Sequence, residues 1–425
     1  MKKSTFFILG SVIFLTMNTL SAQEFVANYD EEKVPEYTLP DPLVFSNGAR
    51  VQNKKEWDKR HTEIYKMFEN EVYGRSPVWK GKIISTELSS NLNALNGAAI
   101  RKEIKLTLKN GKKELSMVML LYLPKSSTPV PVFLGYNFGG NHSVTEETDI
   151  SITSSWMRNN PTTGAVDNRA SEAGRGKGAS SWQVKEIISR GYGLATIYYG
   201  DVDPDFDDGF KNGVHGLYKK RPTNSSWGSI AAWAWGLSRA MDYIETNKSI
   251  DPERVIVMGH SRLGKTALWA GATDNRFAIV ISNNSGCGGA ALSKRIFGET
   301  VGSINRSFPH WFCDNFNKYN EKEELLPVDQ HQLLSLIAPR PVYVASAEED
   351  QWADPKGEFL SCAGASPVYT LLTGKGLPVL EMPSVNSPVV GFIGYHVRTG
   401  GHNVTLYDWQ QYLDFADLHL GKNKP

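Results

Sequence analysis

Cysteine is scarce: the 425 residues include three, Cys287, Cys313 and Cys362. An odd number leaves at least one unpaired, so no disulfide framework holds the chain together, although an oxidising compartment permits one bridge. Neither C-x-x-C nor H-E-x-x-H occurs, so no metal and no cofactor is expected. Charge of one sign is missing too. Forty-six basic residues against 45 acidic leave a net charge of +1, which excludes the basic footprint of a nucleic-acid partner. After the N-terminal stretch, no apolar run reaches the roughly 20 residues a membrane span needs.

What is present is enough for a large core: 40% hydrophobic residues and eleven tryptophans. Met1 to Ala22 has the layout of a secretory signal, with Lys2 and Lys3 first, then apolar Phe6 to Met17, then small Ser21 and Ala22. Export to the periplasm or the medium is the expectation. Residues 23–425 are expected to form a single catalytic domain and to work as a monomer.

The chain is organised around Arg254 to Ala272. A β-branched run ends at Met258, Gly259 follows, and after His260-Ser261-Arg262 come Leu263, Ala267 and Leu268 at helical spacing. Strand, glycine, serine, helix is the layout of a nucleophile elbow, which holds a serine on a sharp turn above a sheet. The second glycine, Gly264, falls one place later than in G-x-S-x-G.

The rest of the chain fits that centre. Gln23 to Asn47 reads as an extended arm, and Glu56 to Tyr73 as a helix stopped by Gly74. Ile104–Leu108 and Leu115–Leu123, joined at Asn110-Gly111, read as an antiparallel hairpin. Val130–Tyr136 is a buried strand leading into Gly139-Gly140. Residues 142–181 read as a surface insertion. A helix is expected over 182–189, a strand over 194–199 and a helix over 226–244. The aspartates after the second of these (Asp201, Asp203, Asp205) fit turns and caps better than calcium ligands. Further strands at 277–281 and 341–345 and a last helix at 409–418 complete a three-layer αβα sandwich with a mostly parallel central sheet, the α/β-hydrolase architecture.

Serine needs a base, and the base a carboxylate, in the chain order serine, acid, histidine. His402, in the glycine-rich loop before the last helix, is the base chosen, with His396 as a structural competitor. The acid lies in the loop after 341–345, among Glu348, Glu349, Asp350 and Asp354; Asp350 has the usual offset.

The segments GHSRLGKTALW, SNNSGCGGAAL, FPHWFC, LIAPRPVYVASAEEDQWADPKGEF and GYHVRTGGHNV together resemble the bacterial glucuronoyl esterases, the fifteenth carbohydrate esterase family, from about Trp182 onward. The resemblance implies metal-free cleavage of esters joining 4-O-methyl-glucuronic acid on xylan to lignin alcohols. It makes Ser261 the nucleophile, His402 the base and Arg262 the oxyanion stabiliser, and gives Lys265, Glu299 and Trp352 to the sugar hydroxyls. One position departs from the pattern. Some members carry the acid as glutamate in the segment matching Asn283-Asn284-Ser285-Gly286, where this chain has Asn284; that favours Asp350. Rival readings are an acetyl-xylan or feruloyl esterase on the same residues, and a carbohydrate-binding protein with a degenerate site.

Overall fold

The computed structural model describes residues 25–218 and 223–421; the leader expected over Met1–Ala22 lies outside them. The strands are β1 Lys82–Ala94, β2 Ala99–Asn110, β3 Lys113–Pro124, β4 Val130–Asn137, β5 Gly193–Tyr198, β6 Ile250–His260, β7 Ile279–Asn283, β8 Val342–Ala347 and β9 Ile393–Arg398. They make a single nine-stranded sheet in the order β1-β2-β3-β5-β4-β6-β7-β8-β9. The first strands and the β3–β5 pair are antiparallel. From β5 through β4 to β9 every pair is parallel.

The helices are α1 Lys54–Glu71, α2 Ala179–Trp182, α3 Val184–Ser189, α4 Ser229–Ile244, α5 Arg262–Thr273, α6 Val301–Ser307, α7 Gln330–Ser335, α8 Pro355–Thr373 and α9 Leu406–Leu420. The α4, α5, α7 and α8 helices cover one face of the sheet, and α3 and α9 the other. The central strand shows why three layers form. In β6, Val255 and Val257 enter the core under α5, while Ile256 and Met258 enter the core under α9. A strand apolar on both faces is stable only with helices on both.

Several features differ from the sequence expectations. β1 went unread because it is an edge strand whose apolar residues Ile84, Leu88 and Leu92 are exposed, so no alternation marks it. β9 and α8 were also unread; α8 carries Pro367 and several small residues, which blur a helical stripe. The helix expected over 182–189 is broken at Gln183, which has φ 42°. The three cysteines are all free and buried, so the permitted bridge does not form.

Residues 142–181 are mostly exposed or half-buried, as a surface segment, and are anchored at a few points. Val144, Ile150 and Met157 are buried. Arg101, buried in β2, binds Glu147 at 3.1 Å and Asp149 at 2.5 Å. The N-terminal arm lies against the segments that follow β7 and β8. Glu31 bridges Arg295 and Lys356, and the Phe25 ring meets Trp352 edge-on at 6.2 Å. Among the described residues, no helix is long and apolar enough to cross a membrane.

Candidate active site

Parallel strands deliver their carboxyl ends to one edge of a sheet, and the crevice there is where α/β proteins bind ligands. Here β4 leads to Phe138, β5 to Asp205, β6 to Ser261, β7 to Asn284, β8 to Asp350 and β9 to His402.

Ser261 has φ 58° and ψ −129°, a strained conformation for a residue with a side chain. The surroundings hold it there. Its N–H donates to the Asn283 carbonyl at 2.9 Å, and its own carbonyl accepts from Gly264 N–H at 2.8 Å as α5 begins. A Cβ on Gly259 would collide with the Leu263 carbonyl, and one on Gly264 would lie 3.0 Å from Ser285 Cβ. The displaced second glycine therefore serves close packing beneath the turn.

His402 Nδ1 and Asp350 Oδ2 are 2.6 Å apart. A carboxylate only accepts, so Nδ1 carries the proton and Nε2 keeps a lone pair. Asn284 Nδ2 donates to the same Asp350 oxygen at 2.7 Å. Burial alone would raise the Asp350 carboxyl, but the hydrogen bond and charge of His402 and the Asn284 amide bring it below its ordinary value. Of the acids weighed in that loop, Glu349 is exposed. Asp354 caps α8 and pairs with Arg295 at 2.8 Å. Asp350 is thus the carboxylate on the imidazole.

Arg262 lies across the site, with its guanidinium 4.8 Å from the Trp311 ring centroid and 5.6 Å from those of Phe138 and Phe308. It is ion-paired with Asp205. Asp205 also accepts from His310 at 2.9 Å, Trp311 Nε1 at 2.8 Å and Tyr199 at 3.0 Å. Burial opposes its charge, yet the His310 hydrogen bond and the Arg262 charge hold the carboxyl well below the carboxylate range. Arg262 Nε is buried with no partner among the described residues, while the side chain as a whole is 25% exposed and lines both cavities beside Ser261.

Lys265 is not solvated. It is buried, donating to the Cys287 carbonyl at 2.6 Å and to Glu299 at 3.0 Å. The Glu299 N–H donates to the Trp352 carbonyl at 3.0 Å, and the Trp352 ring stands exposed at the rim. These three share a cavity of about 320 Å³ with Ser261 and His402. A second cavity of about 600 Å³ opens on the other side of Ser261, Arg262, Phe308 and His402; Phe138, Met157 and Tyr199 are among its walls. Both volumes suit small ligands.

The structure thus brings together all seven residues predicted from sequence and adds three. Asp205 sits in the aspartate loop read as turns and caps. It is a hub for residues 57 and 105 positions away, a separation that no local pattern reveals. Glu358 accepts from the Ser285 and Gly286 N–H groups at 2.8 and 3.1 Å and from Ser346 at 2.6 Å, so it fixes the loop that carries Asn284. Burial pushes its carboxyl up to about 7 against the pull of those donors. His260, before the nucleophile, lies with its ring centroid 4.4 Å from that of His402. His396, the competitor, is fully buried against Asp408 at 2.9 Å. Among the described residues, no group of three His, Cys, Asp or Glu side chains is placed to hold a metal ion.

A family model described as glucuronyl esterase, fungi, matches residues 183–373. A carbohydrate esterase from an unknown prokaryotic organism is 52% identical over 399 residues, covering 92% of each chain. The solved structure of a promiscuous esterase of carbohydrate esterase family 15, from the marine bacterial metagenome, superposes with a TM-score of 0.88 at 52% identity, covering 93% of this chain and 100% of that one. A glucuronoyl esterase from Solibacter usitatus gives 0.86 at 47% identity, covering 92% of this chain and 100% of that one. With an α/β-hydrolase sheet and relatives this similar along nearly their whole length, the chain belongs to the glucuronoyl esterases, the fifteenth family of carbohydrate esterases.

Proposed function

We propose that the chain hydrolyses esters of glucuronic acid and its 4-O-methyl ether, of the kind that link xylan to lignin alcohols, through a glucuronoyl-serine intermediate. One observation carries the reading: the buried Lys265–Glu299 pair in the smaller cavity, beside Ser261 and His402. A desolvated charge pair contributes little to stability, and it offers a uronate ring both a donor and an acceptor. The 47% identical Solibacter usitatus protein is a glucuronoyl esterase.

In this mechanism Ser261 Oγ attacks the C6 carbonyl while His402 Nε2 takes its proton and Asp350 steadies the imidazolium. The Arg262 guanidinium, paired with Asp205, meets the oxyanion with its exposed edge. The alcohol leaves through the larger cavity with the proton from His402, and water then releases the acid. Lys265 and Glu299 bind the sugar hydroxyls, and Trp352 adds its indole N–H.

Ser261→Ala should lower hydrolysis of benzyl glucuronate by roughly 10⁶-fold; turnover within about a hundredfold of the wild type would overturn the assignment. A broader specificity is the second reading, because the 52% identical relative of known structure is described as promiscuous. Lys265→Met separates the two readings. We expect kcat/KM to fall about 10- to 100-fold for methyl glucuronate, the loss of a charged hydrogen bond, with acetyl and feruloyl esters little changed. An equal loss on all three would remove Lys265 from sugar recognition. We also infer export, on the signal-like Met1–Ala22; N-terminal sequencing of the mature protein tests it.

A further inference from the structure

The residue before the nucleophile is a second imidazole whose protonation state is set by a buried chain of hydrogen bonds. Asp408 accepts from Arg398 Nε at 2.7 Å and from Asn283 Nδ2 at 3.2 Å. Because a carboxylate only accepts, the Asn283 amide has one possible orientation, with Oδ1 turned to His260 Nδ1 at 2.6 Å. An amide oxygen also only accepts, so His260 Nδ1 carries the proton and Nε2 the lone pair. Nε2 has no hydrogen-bond partner among the described residues. The ring is half-buried and lines the larger cavity together with Ser261 and His402. Burial and the neighbouring His402 charge push His260 down to about 3, so its lone pair is present at any working pH.

Two imidazoles with centroids 4.4 Å apart, each with a free Nε2 lone pair, suit one molecule that has two hydrogens to donate. Water is such a molecule, and an alcohol is not. We propose that His260 Nε2 accepts the second O–H of the hydrolytic water, orienting it for deacylation while His402 takes the first proton. This rests on the acyl-enzyme reading above. In the step, the water oxygen bonds to the acyl carbon and the bond from that carbon to Ser261 Oγ breaks. One proton passes through His402 Nε2 to Ser261 Oγ. The other stays on the attacking oxygen, which becomes the hydroxyl of the released acid. In acylation the departing alkoxide receives its single proton from His402, so His260 has nothing to accept.

The asymmetry makes the role measurable. In His260→Phe the ring stays and the lone pair goes. We expect kcat under deacylation-limited conditions to fall about tenfold, the loss of a hydrogen bond to a positioned water. We expect kcat/KM, which reports acylation, to move less than twofold. Intact-mass spectrometry should show the glucuronoyl adduct accumulating during turnover. Added methanol, which lacks a second O–H, should restore turnover and raise the ratio of methyl ester to free acid relative to the wild type. His260→Gln retains an acceptor and should return the ratio toward the wild-type value. His260→Ala makes the same prediction as His260→Phe if the larger ring prevents folding, and a product ratio does not depend on the fraction folded. Parallel loss of kcat and kcat/KM with no adduct, or an unchanged product ratio, would overturn the proposal. A wild-type enzyme that neither hydrolyses the ester nor forms an adduct would instead overturn the esterase reading.

Discussion

The C-terminal part of the chain contains two histidine–aspartate couples built from the same chemistry. His402 pairs with Asp350 at 2.6 Å, and His396, six residues earlier, pairs with Asp408 at 2.9 Å. The His402 side chain is 43% exposed and its far nitrogen is free, whereas His396 is wholly enclosed with Tyr343 on its other nitrogen. Asp350 accepts from one imidazole and one amide and has no cation on it among the described residues. Asp408 has the Arg398 guanidinium, and also accepts from His396, Thr405 and Asn283. A couple becomes a base when one nitrogen is left to the solvent side, and a rivet when every lone pair and proton is used. Residue type decides neither.

Substitutions that treat both couples alike should separate them. Asp350→Asn should lower kcat by roughly 10³- to 10⁴-fold, since the imidazole loses its oriented tautomer, with only a small change in melting temperature. Glu349→Gln, in the same loop, should leave the rate unchanged; a large loss there would mean the wrong carboxylate has been chosen. Asp408→Asn should do the reverse. Stranding the buried Arg398 charge costs about 3–5 kcal/mol, read as a fall in denaturant midpoint, while kcat per folded molecule drops far less than in Asp350→Asn.

The smallest expected effect is on pH dependence. Glu358 has its folded value raised to about 7 from an ordinary 4.5. A carboxyl shifted upward holds its proton more tightly when folded. Its stabilising contribution is therefore complete below the unfolded value and is lost as pH rises through about 7. The melting temperature should decline between pH 5 and 8, and Glu358→Gln should flatten that decline. An unchanged slope would mean that Glu358 is already ionised at pH 5.

The elbow was legible because its determinants are local: an apolar strand, a glycine and an amphipathic helix lie within twenty residues. His402 was legible because its position before the last helix follows from chain order. Asp350 was legible among four acids by its offset from the strand and by Asn284 at the alternative position, although the hydrogen bond that selects it spans 52 residues. Asp205 and Glu358 were missed for the same reason, both being defined by partners distant in sequence. β1 went unread because an exposed edge strand needs no apolar face, and α8 because Pro367 and small residues weaken its stripe. Residues 142–181 are largely loop, as read, and their anchoring by Arg101 on a neighbouring strand is what no local periodicity announces.

Asn284 and Asp350 touch because β7 and β8 are neighbours, so their following loops reach the imidazole from adjacent posts. Such a layout makes the acid a position that either loop can fill. A lineage that mutates one post to an amide keeps its chemistry if the next post already holds a carboxylate, and the old occupant remains as a brace. The sheet edge therefore works as a row of interchangeable sockets, and inheritance of the reaction does not require inheritance of every residue that performs it.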